Sequence, residues 1–411
     1  MTAEMPFQEV ASRPARGFLS GIPQRVLLLI VVMAVNNFGF SYLSIVLSAY
    51  LPQLGVSVLT VGFILGADGL SMAVLTIPLG ILSDRRGRKW ILILGSMGAA
   101  PVFFIVALTL NPFLLVLAAA IAGVTQGAYM STVNALIADQ TTAQNRNSAF
   151  AASFVIAGTG GSLGAALPFF IPSLASVLSV GVRSTHMGLL LFFGTVSLFT
   201  PLALFLILRN YHETARPAGK LWKGKSTANL LKFSSINSLI GLGAGFIIPL
   251  IPTWLLLRFS IPDTYSGPIL AFSSLTIGLA AVFSPRLARR FGQVNAIAMT
   301  QGLSLVFMVS VAYAGNPTLA CSLYIVRAIL MNMASPLSDS FLMGIVAPEE
   351  RGFASSVNAV VWNVPNSVTT IFGAAILRSG DYVLPFLLAG SLYAIAIPLF
   401  YAVFRKTTLT S

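Results

Sequence analysis

The chain has 411 residues, of which 56% are hydrophobic and only 9% are charged. Soluble globular proteins carry about 25% charged residues, so this composition excludes an ordinary soluble domain and indicates an integral membrane protein. The net charge of +13 would suit a nucleic-acid partner, but the basic residues cluster between long apolar runs. That distribution indicates membrane topology and no nucleic-acid binding.

The reactive side chains are too few for most kinds of enzyme. One cysteine, Cys321, excludes an intramolecular disulfide, and with only two histidines it forms no metal-ligand cluster, so neither a metal nor a cofactor is expected. The chain also lacks an acidic motif for phosphoryl transfer and a nucleotide-binding loop, which argues against a membrane enzyme and a primary pump. The first 24 residues have no apolar core and are not expected to form a signal peptide.

Twelve apolar runs follow one another along the chain, and each has the roughly 20 residues that a helix needs to cross a bilayer. They lie at about 26–50, 58–82, 90–110, 113–138, 149–171, 187–208, 229–257, 265–284, 294–314, 320–344, 354–377 and 383–404. The predicted fold class is therefore all-α and integral to the membrane, with twelve transmembrane helices. Because twelve is even, both termini are expected on the same side.

The distribution of lysine and arginine predicts which side that is. If the N-terminus is inside, only Arg183, Arg258 and Arg378 lie in outer loops, and Arg327 lies within a span. The other 20 of the 24 basic residues then lie in inner segments. Since basic residues mark the cytoplasmic loops, both termini are predicted to be cytoplasmic, in a multi-pass protein of the cell membrane.

The two halves of the chain resemble each other at one constant offset. A shift of 205 residues places Gly87 on Gly292 and Arg146 on Arg351. The sequence predicts a six-helix bundle with a short cytoplasmic tail at 1–208, a basic cytoplasmic linker at 209–228, and a second six-helix bundle at 229–411. The charge of the linker either signals topology or also contacts anionic headgroups.

Residues 80–89, GILSDRRGRK, form a short polar loop between the second and third apolar runs, and we call them the basic loop. A charge at the centre of the bilayer costs about 2.5–3.5 kcal/mol, so this loop must lie at the membrane surface. Its pattern closely resembles the loop between helices 2 and 3 of the major facilitator superfamily of transporters. The matching residues are Gly80, Leu82, Asp84, Arg85, Gly87, Arg88 and Lys89.

The resemblance implies two six-helix bundles that rock about a central site, so that the site opens to each side of the membrane in turn. It also implies that Asp84 locks the halves together on the cytoplasmic side, and Gly80 and Gly87 would allow the tight turn. Helix 11 begins on that side, so its positive end is the partner that we propose for Asp84. The expected partners are a small-molecule substrate, a proton or another coupling ion and the lipid bilayer, with the protein as a monomer.

Asp68 is the one acid deep in the membrane region of the first half. Hydrocarbon disfavours its ionised form, so the carboxyl is expected to bind a proton readily. A carboxyl that binds and releases a proton within the membrane suits proton coupling. Two alternatives remain open, which are structural pairing with a neighbouring helix or with Arg327, and direct contact with substrate. Arg327 is expected to bind an anionic group of the substrate or to serve as the counter-charge to Asp68.

Uncharged polar residues gather on the spans that resemble the cavity-lining helices of this superfamily. Amide side chains lack partners in lipid, so they are expected to face a cavity or to bond between helices. The candidate cavity residues, with Arg327, are Asn36, Asn37, Gln126, Tyr129, Asn237, Asn332, Asn358 and Trp362.

Three glycines qualify the resemblance. Gly160 and Gly164 on the fifth span have the spacing that lets helices approach closely, and the glycine-proline pair of the family's antiporter motif is missing. On the fourth span, Gly123 stands where the family has an arginine three residues before Gln126-Gly127. Proton-coupled export of a small, partly apolar solute remains the first expectation. Proton-coupled uptake of a metabolite or organic anion, and facilitated diffusion, are the alternatives.

Overall fold

The computed structural model describes residues 21–142, 145–211, 224, 226–347 and 350–407, except for the side chains of residues 84, 147, 276–282 and 352. Within these ranges every regular element is a helix and none is a strand. The all-α fold class is therefore confirmed for the described residues.

The first half contains six helices that we number α1 to α6. They are α1 Gln24–Gln53, α2 Val58–Arg86, α3 Arg88–Leu108, α4 Pro112–Asp139, α5 Ser148–Val177 and α6 Val182–Ile207. The described part of the second half contains α7 Thr227–Phe259, α8 Asp263–Phe291, α9 Gln293–Ala312, α10 Pro317–Ile345, α11 Arg351–Arg378 and α12 Leu384–Phe404. Within α1, residues Val46–Tyr50 form a turn of π-helix.

Eleven helices in the described residues are long and apolar enough to cross a membrane. The remaining helix, α8, lies where the eighth span is predicted and has 29 residues. The prediction of a multi-span membrane protein is thus confirmed, while the count of twelve spans stays a prediction.

The packing of helices in the first half recurs in the second half with a shift of six. In the first half α1 packs on α5, α2 on α4 and α3 on α6, and in the second α7 packs on α11, α8 on α10 and α9 on α12. This recurrence is what a duplicated bundle would give.

Glycines allow the equivalent helix pairs of the two halves to approach each other closely. A Cβ atom added to Gly164 on α5 would lie 2.0 Å from the backbone oxygen of Phe38 on α1. In the second half, a Cβ added to Gly245 on α7 would lie 2.1 Å from the backbone oxygen of Asn366 on α11. Gly160 likewise has no room for a side chain beside Ala34, which confirms the close packing that its spacing from Gly164 predicts.

The two halves contact each other through α2 with α11 and through α5 with α8. Gly62 and Gly66 on α2 lie against Ala374 and Ile371 on α11, and a Cβ added to Gly267 on α8 would lie 2.5 Å from the backbone oxygen of Ala165. Gly62 lies in the first turns of α2, which runs toward the basic loop. Gly267 lies in the first turns of α8, which runs toward the equivalent turn at Gly292. The halves are therefore joined tightly at the end of the molecule opposite the basic loop, which we call the outer end.

Candidate transport site

A cavity of about 120 Å³ lies inside the first bundle, between α1, α3, α4 and α6. It contains four of the predicted cavity residues, and the rest of its wall is largely apolar. The lining residues are Val32, Asn36, Asn37, Phe40, Leu92, Ser96, Thr125, Gln126, Tyr129, Met130, Thr200 and Leu204. A mostly apolar wall with a few amide and hydroxyl groups is typical of sites that bind small organic molecules.

The two asparagines of α1 are fixed by hydrogen bonds to backbone oxygens. The Asn36 amide nitrogen donates to the oxygen of Val32 at 2.9 Å, and that of Asn37 donates to the oxygen of Ala157 on α5 at 2.6 Å. Among the described residues no group donates to their amide oxygens, so both oxygens can accept a hydrogen bond from a solute.

Asp68 lies one hydrogen bond away from this cavity. The Gln126 amide nitrogen, on α4, donates to a carboxyl oxygen of Asp68, on α2, at 2.9 Å. Gln126 also lines the cavity, so this one side chain connects the carboxyl of Asp68 to the cavity wall. Among the described residues Asp68 forms no ion pair with Arg327 in this conformation.

Gly123 lies at the closest approach of α4 to α2, directly beside Asp68. An added Cβ atom would be 2.1 Å from the backbone oxygen of Asp68 and 2.9 Å from the backbone nitrogen of Met72. An arginine at this position would force the two helices apart, so the packing here does not fit the arginine of the family's helix 4 motif.

Arg327 is packed inside the second bundle and is only 5% exposed. Its guanidinium donates to the hydroxyl of Tyr393 on α12 at 3.3 Å, and its backbone oxygen accepts from Ser304 on α9. These contacts tie α9, α10 and α12 together.

The predicted cavity residues of the second half bond mainly between helices. The Asn237 amide nitrogen on α7 donates to the Asn358 amide oxygen on α11 at 2.6 Å. The backbone of Trp362 packs against Gly241. Asn332 is half-buried on α10.

A separate cavity of about 410 Å³, lined by Ser234, Ser235, Ser238 and their neighbours, lies between α7 and α11 near the start of each helix.

The basic loop is a tight turn between α2 and α3. Gly87 has a φ of +107°, a conformation that favours glycine, and Gly292 between α8 and α9 repeats it at +82°. Arg88 forms an ion pair with Asp139 on α4, while Arg85 is exposed and Gly80 faces Ser131. The side chain of Asp84 lies outside the described part, so its proposed contact with α11 stays a prediction.

A buried polar network at the outer end escaped prediction from the sequence. It joins Tyr42 and Gln53 of α1, His186 of α6 and Asp263 of α8. One signal was available, since His186 directly precedes the sixth predicted span, 187–208. Asp263 gave none, because an acid just before an apolar run is ordinary.

The sequence and the fold were compared with those of known proteins. The family model described as "Major Facilitator Superfamily" matches residues 29–235 and 233–410. The chain is 26% identical over 325 residues to the class H tetracycline resistance protein of Pasteurella multocida, covering 71% of this chain and 79% of that protein. It is 23% identical over 349 residues to the quinolone resistance protein NorA of Staphylococcus aureus (strain COL), covering 80% and 84%.

A crystal structure of the nucleoside transporter NupG has the same fold. It superposes with a TM-score of 0.74 at 14% identity and covers 94% of this chain and 100% of that one. The family match extends over nearly all of the chain, and the alignments cover most of the length of the relatives named above. The chain therefore belongs to the Major Facilitator Superfamily and is a membrane transporter rather than an enzyme.

Proposed function

We propose that the protein exports a small, partly apolar solute in exchange for protons. The observation that carries this proposal is the hydrogen bond between Asp68 and Gln126, which connects an intramembrane acid to the wall of the cavity in the first bundle. The names of the tetracycline and quinolone resistance relatives support export of an organic solute.

In the proposed cycle the solute and the proton compete through Gln126. A solute that donates a hydrogen bond to the Gln126 amide oxygen polarises that amide and strengthens its N–H donation to the Asp68 carboxylate. This stabilises the ionised form of Asp68 in a region where an unpaired charge costs about 2.5–3.5 kcal/mol. A proton on Asp68 removes the charge that strengthens this chain of hydrogen bonds, so the solute and the proton each weaken binding of the other.

Alternating access requires the two halves to part at the outer end and to meet at the basic loop. Glycine-lined contacts between α2 and α11, and between α5 and α8, let the halves pivot with little side-chain rearrangement. Asp84 is proposed to hold the positive end of α11 when the outer end is open.

Uptake of an anionic metabolite is the alternative, and it depends on Arg327 as the anion contact. The bond of Arg327 to Tyr393 and its burial among α9, α10 and α12 support a packing role instead. Facilitated diffusion would need no titrating group at the site, and Asp68 would then serve to bond α2 to α4 through Gln126.

The decisive experiment uses protein reconstituted in liposomes with a trapped pH dye. Wild type and Asp68→Asn are compared over a panel of dyes, sugars, amino acids and organic anions. We expect a proton flux that depends on substrate in the wild type and its loss in Asp68→Asn, because the amide takes no proton. Asp381→Asn, in an exposed acid between α11 and α12, is the matched control and should transport normally. Substrate flux without proton movement, unchanged in Asp68→Asn, would refute proton coupling.

We also propose that the protein acts as a monomer in the cell membrane, with both termini in the cytoplasm. The concentration of basic residues in alternate loops supports the orientation. A reporter that is active only in the cytoplasm, fused at either terminus, should be active, and an inactive reporter at both termini would overturn the orientation.

A further inference from the structure

His186 lies near the outer end of α6 in a pocket of aromatic rings. Its Nδ1 atom is 2.9 Å from the hydroxyl of Tyr42. The ring of Tyr50 stacks on the imidazole with 3.7 Å between centroids and 15° between planes. Tyr50 belongs to the π-helical turn of α1, a rare conformation found mostly at functional sites. The side chain of His186 is only 1% exposed.

The other face of His186 meets the second half of the molecule. Its Nε2 atom is 3.3 Å from Oδ2 of Asp263, the first residue of α8, whose side chain is 3% exposed. Neither atom has a hydrogen-bond partner among the described groups, each other included, so the two face each other across this 3.3 Å approach. The Gln53 amide nitrogen donates to Oδ1 of Asp263 at 3.1 Å, and the Thr253 hydroxyl donates to the backbone oxygen of Ser48. The contact therefore joins the two halves directly.

The charged and titratable groups around the pair come from three helices. Tyr42 and Tyr50 face it from α1, Arg183 lies one turn before His186 on α6, and Asp263 begins α8. Arg183 is exposed and, with Tyr50 and His186, lines a cavity of about 170 Å³ at the outer end. The start of a helix favours the ionised form of Asp263, while the burial of its side chain favours the neutral form.

We propose that His186 and Asp263 form a proton-binding site that holds the outer end closed. With a proton on both ring nitrogens, the imidazolium donates to Tyr42 and to Asp263 at the same time, and the buried pair is neutral. Without that proton, closure would bury a carboxylate without a paired charge, which is strongly unfavourable. Closing the outer end therefore binds one proton, shared by the pair.

The proton comes from the outer side and returns to it. When the halves part at the outer end, His186 and Asp263 separate and meet water, and the histidine releases its proton above about pH 6.5. No proton crosses the membrane by this route, so the site sets how readily the outer end opens at a given external pH. This role is independent of the proposed export and of Asp68.

The test measures the opening of the outer end directly and needs no substrate. Spin labels are attached to cysteines replacing Gly181, which precedes α6, and Gly315, between α9 and α10, in a Cys321→Ala background. An added Cβ atom meets nothing within 4 Å at either glycine. Distances between the labels are recorded by pulsed electron resonance in nanodiscs from about pH 5.5 to 8, the range in which histidine titrates.

In the otherwise unchanged protein we expect the ratio of long to short distances to rise with pH. The slope should approach about tenfold per pH unit at most, the limit for one linked proton. His186→Gln combined with Asp263→Asn keeps hydrogen-bonding side chains but leaves neither member of the pair able to take a proton, so it should abolish that slope. Tyr42→Phe, a milder change that removes one partner of the imidazolium, should move the midpoint to lower pH.

The control variant is Asp381→Asn, because Asp381 is an acid at the same end that contacts only its own helix start. The backbone N–H groups of Leu384 and Val383 hold the pKa of Asp381 below its usual range, so it stays ionised throughout the titration. It should leave the slope unchanged. A ratio that is independent of pH in the otherwise unchanged protein, or an unchanged slope when both members of the pair are substituted, would overturn the proposal. If Asp68→Asn loses proton-coupled transport but keeps the pH slope of the distance ratio, the proposal for His186 and Asp263 is supported independently of the proposed export.

Discussion

A single glycine, Gly123, decides how near α4 lies to the acid of the first bundle. Any side chain there would meet the backbone of Asp68 and Met72 rather than a flexible group that can move away. The close approach lets Gln126, three residues later on the same helix, reach the Asp68 carboxyl. This packing leaves no room for the family's arginine at position 123, and the amide of Gln126 is a polar partner of Asp68.

Gly123→Ala is predicted to destabilise the protein by about 1–3 kcal/mol, the usual cost of overpacking. The methyl group would separate α2 from α4 and lengthen the bond between Gln126 and Asp68. Thermal unfolding in detergent gives the stability, and proton-coupled flux gives the function. Gly188→Ala on α6, where an added Cβ meets nothing within 4 Å, is the control and should be neutral or stabilising by up to about 1 kcal/mol. Equal melting of the two variants would contradict this account of Gly123.

Residue types in the sequence predict which side chains are polar in the membrane but not which partner each one takes. Asn36 and Gln126 line a cavity, as predicted, whereas Asn237 and Asn358 bond to each other across α7 and α11. Both outcomes satisfy an amide in lipid equally well, so composition alone leaves them open. The pairing of His186 with Asp263 depends on how α6 meets α8, which no local pattern encodes.

At the scale of helices, the contact between α2 and α11 holds the halves together at the outer end. Gly62, Gly66 and Gly69 form one face of α2, and each lies against α11. A Cβ atom added to Gly66 would be 3.0 Å from the backbone oxygen of Ser367 and 2.9 Å from Ile371. This face is specific to the conformation in which the outer end is closed, because parting of the halves would widen it.

Gly66→Val is therefore predicted to disfavour the closed outer end. Overpacking of about 1–3 kcal/mol in that conformation corresponds to a rise of roughly 5- to 150-fold in the ratio of open to closed forms. The spin labels at positions 181 and 315 report the ratio at a fixed pH. Gly188→Val on the exposed face of α6 adds the same side chain away from any contact and should leave the distances unchanged. The prediction fails if Gly66→Val gives the distances of the control.

At the scale of the whole molecule, hydropathy and charge predict much of the architecture. Apolar runs predict where the helices lie, and the recurrence of Gly87 as Gly292 predicts equivalent turns that the two positive φ angles bear out. Hydropathy and charge do not predict whether the outer end is open or closed, because the open and closed forms bury similar side chains. Which end is sealed follows from contacts such as Gln53 with Asp263, which are 210 residues apart in the chain.

Two acids at opposite ends of the molecule are predicted to shift the equilibrium between the outward-open and outward-closed forms in opposite directions. Asp263 holds the outer end closed, and Asp84, near the other end of α2, is proposed to hold the basic-loop end closed. The 29 residues of α2 span about 40 Å, so the two acids share no partner and their effects should add. At about pH 5.5, where the pair holds its proton, Asp263→Asn should raise the proportion of the outward-open form and Asp84→Asn should lower it.

The double variant tests whether the two ends belong to one two-state motion. If each substitution changes the open-to-closed ratio by roughly 5- to 150-fold, the usual range of coupling between sites, the double variant should return toward the wild-type ratio. The spin labels at positions 181 and 315 measure all four proteins under one condition. A double variant that behaves like Asp263→Asn alone would mean that the outer end opens without any change at the basic loop. The halves would then flex at each end separately, and alternating access by a single rocking motion would be wrong for this protein.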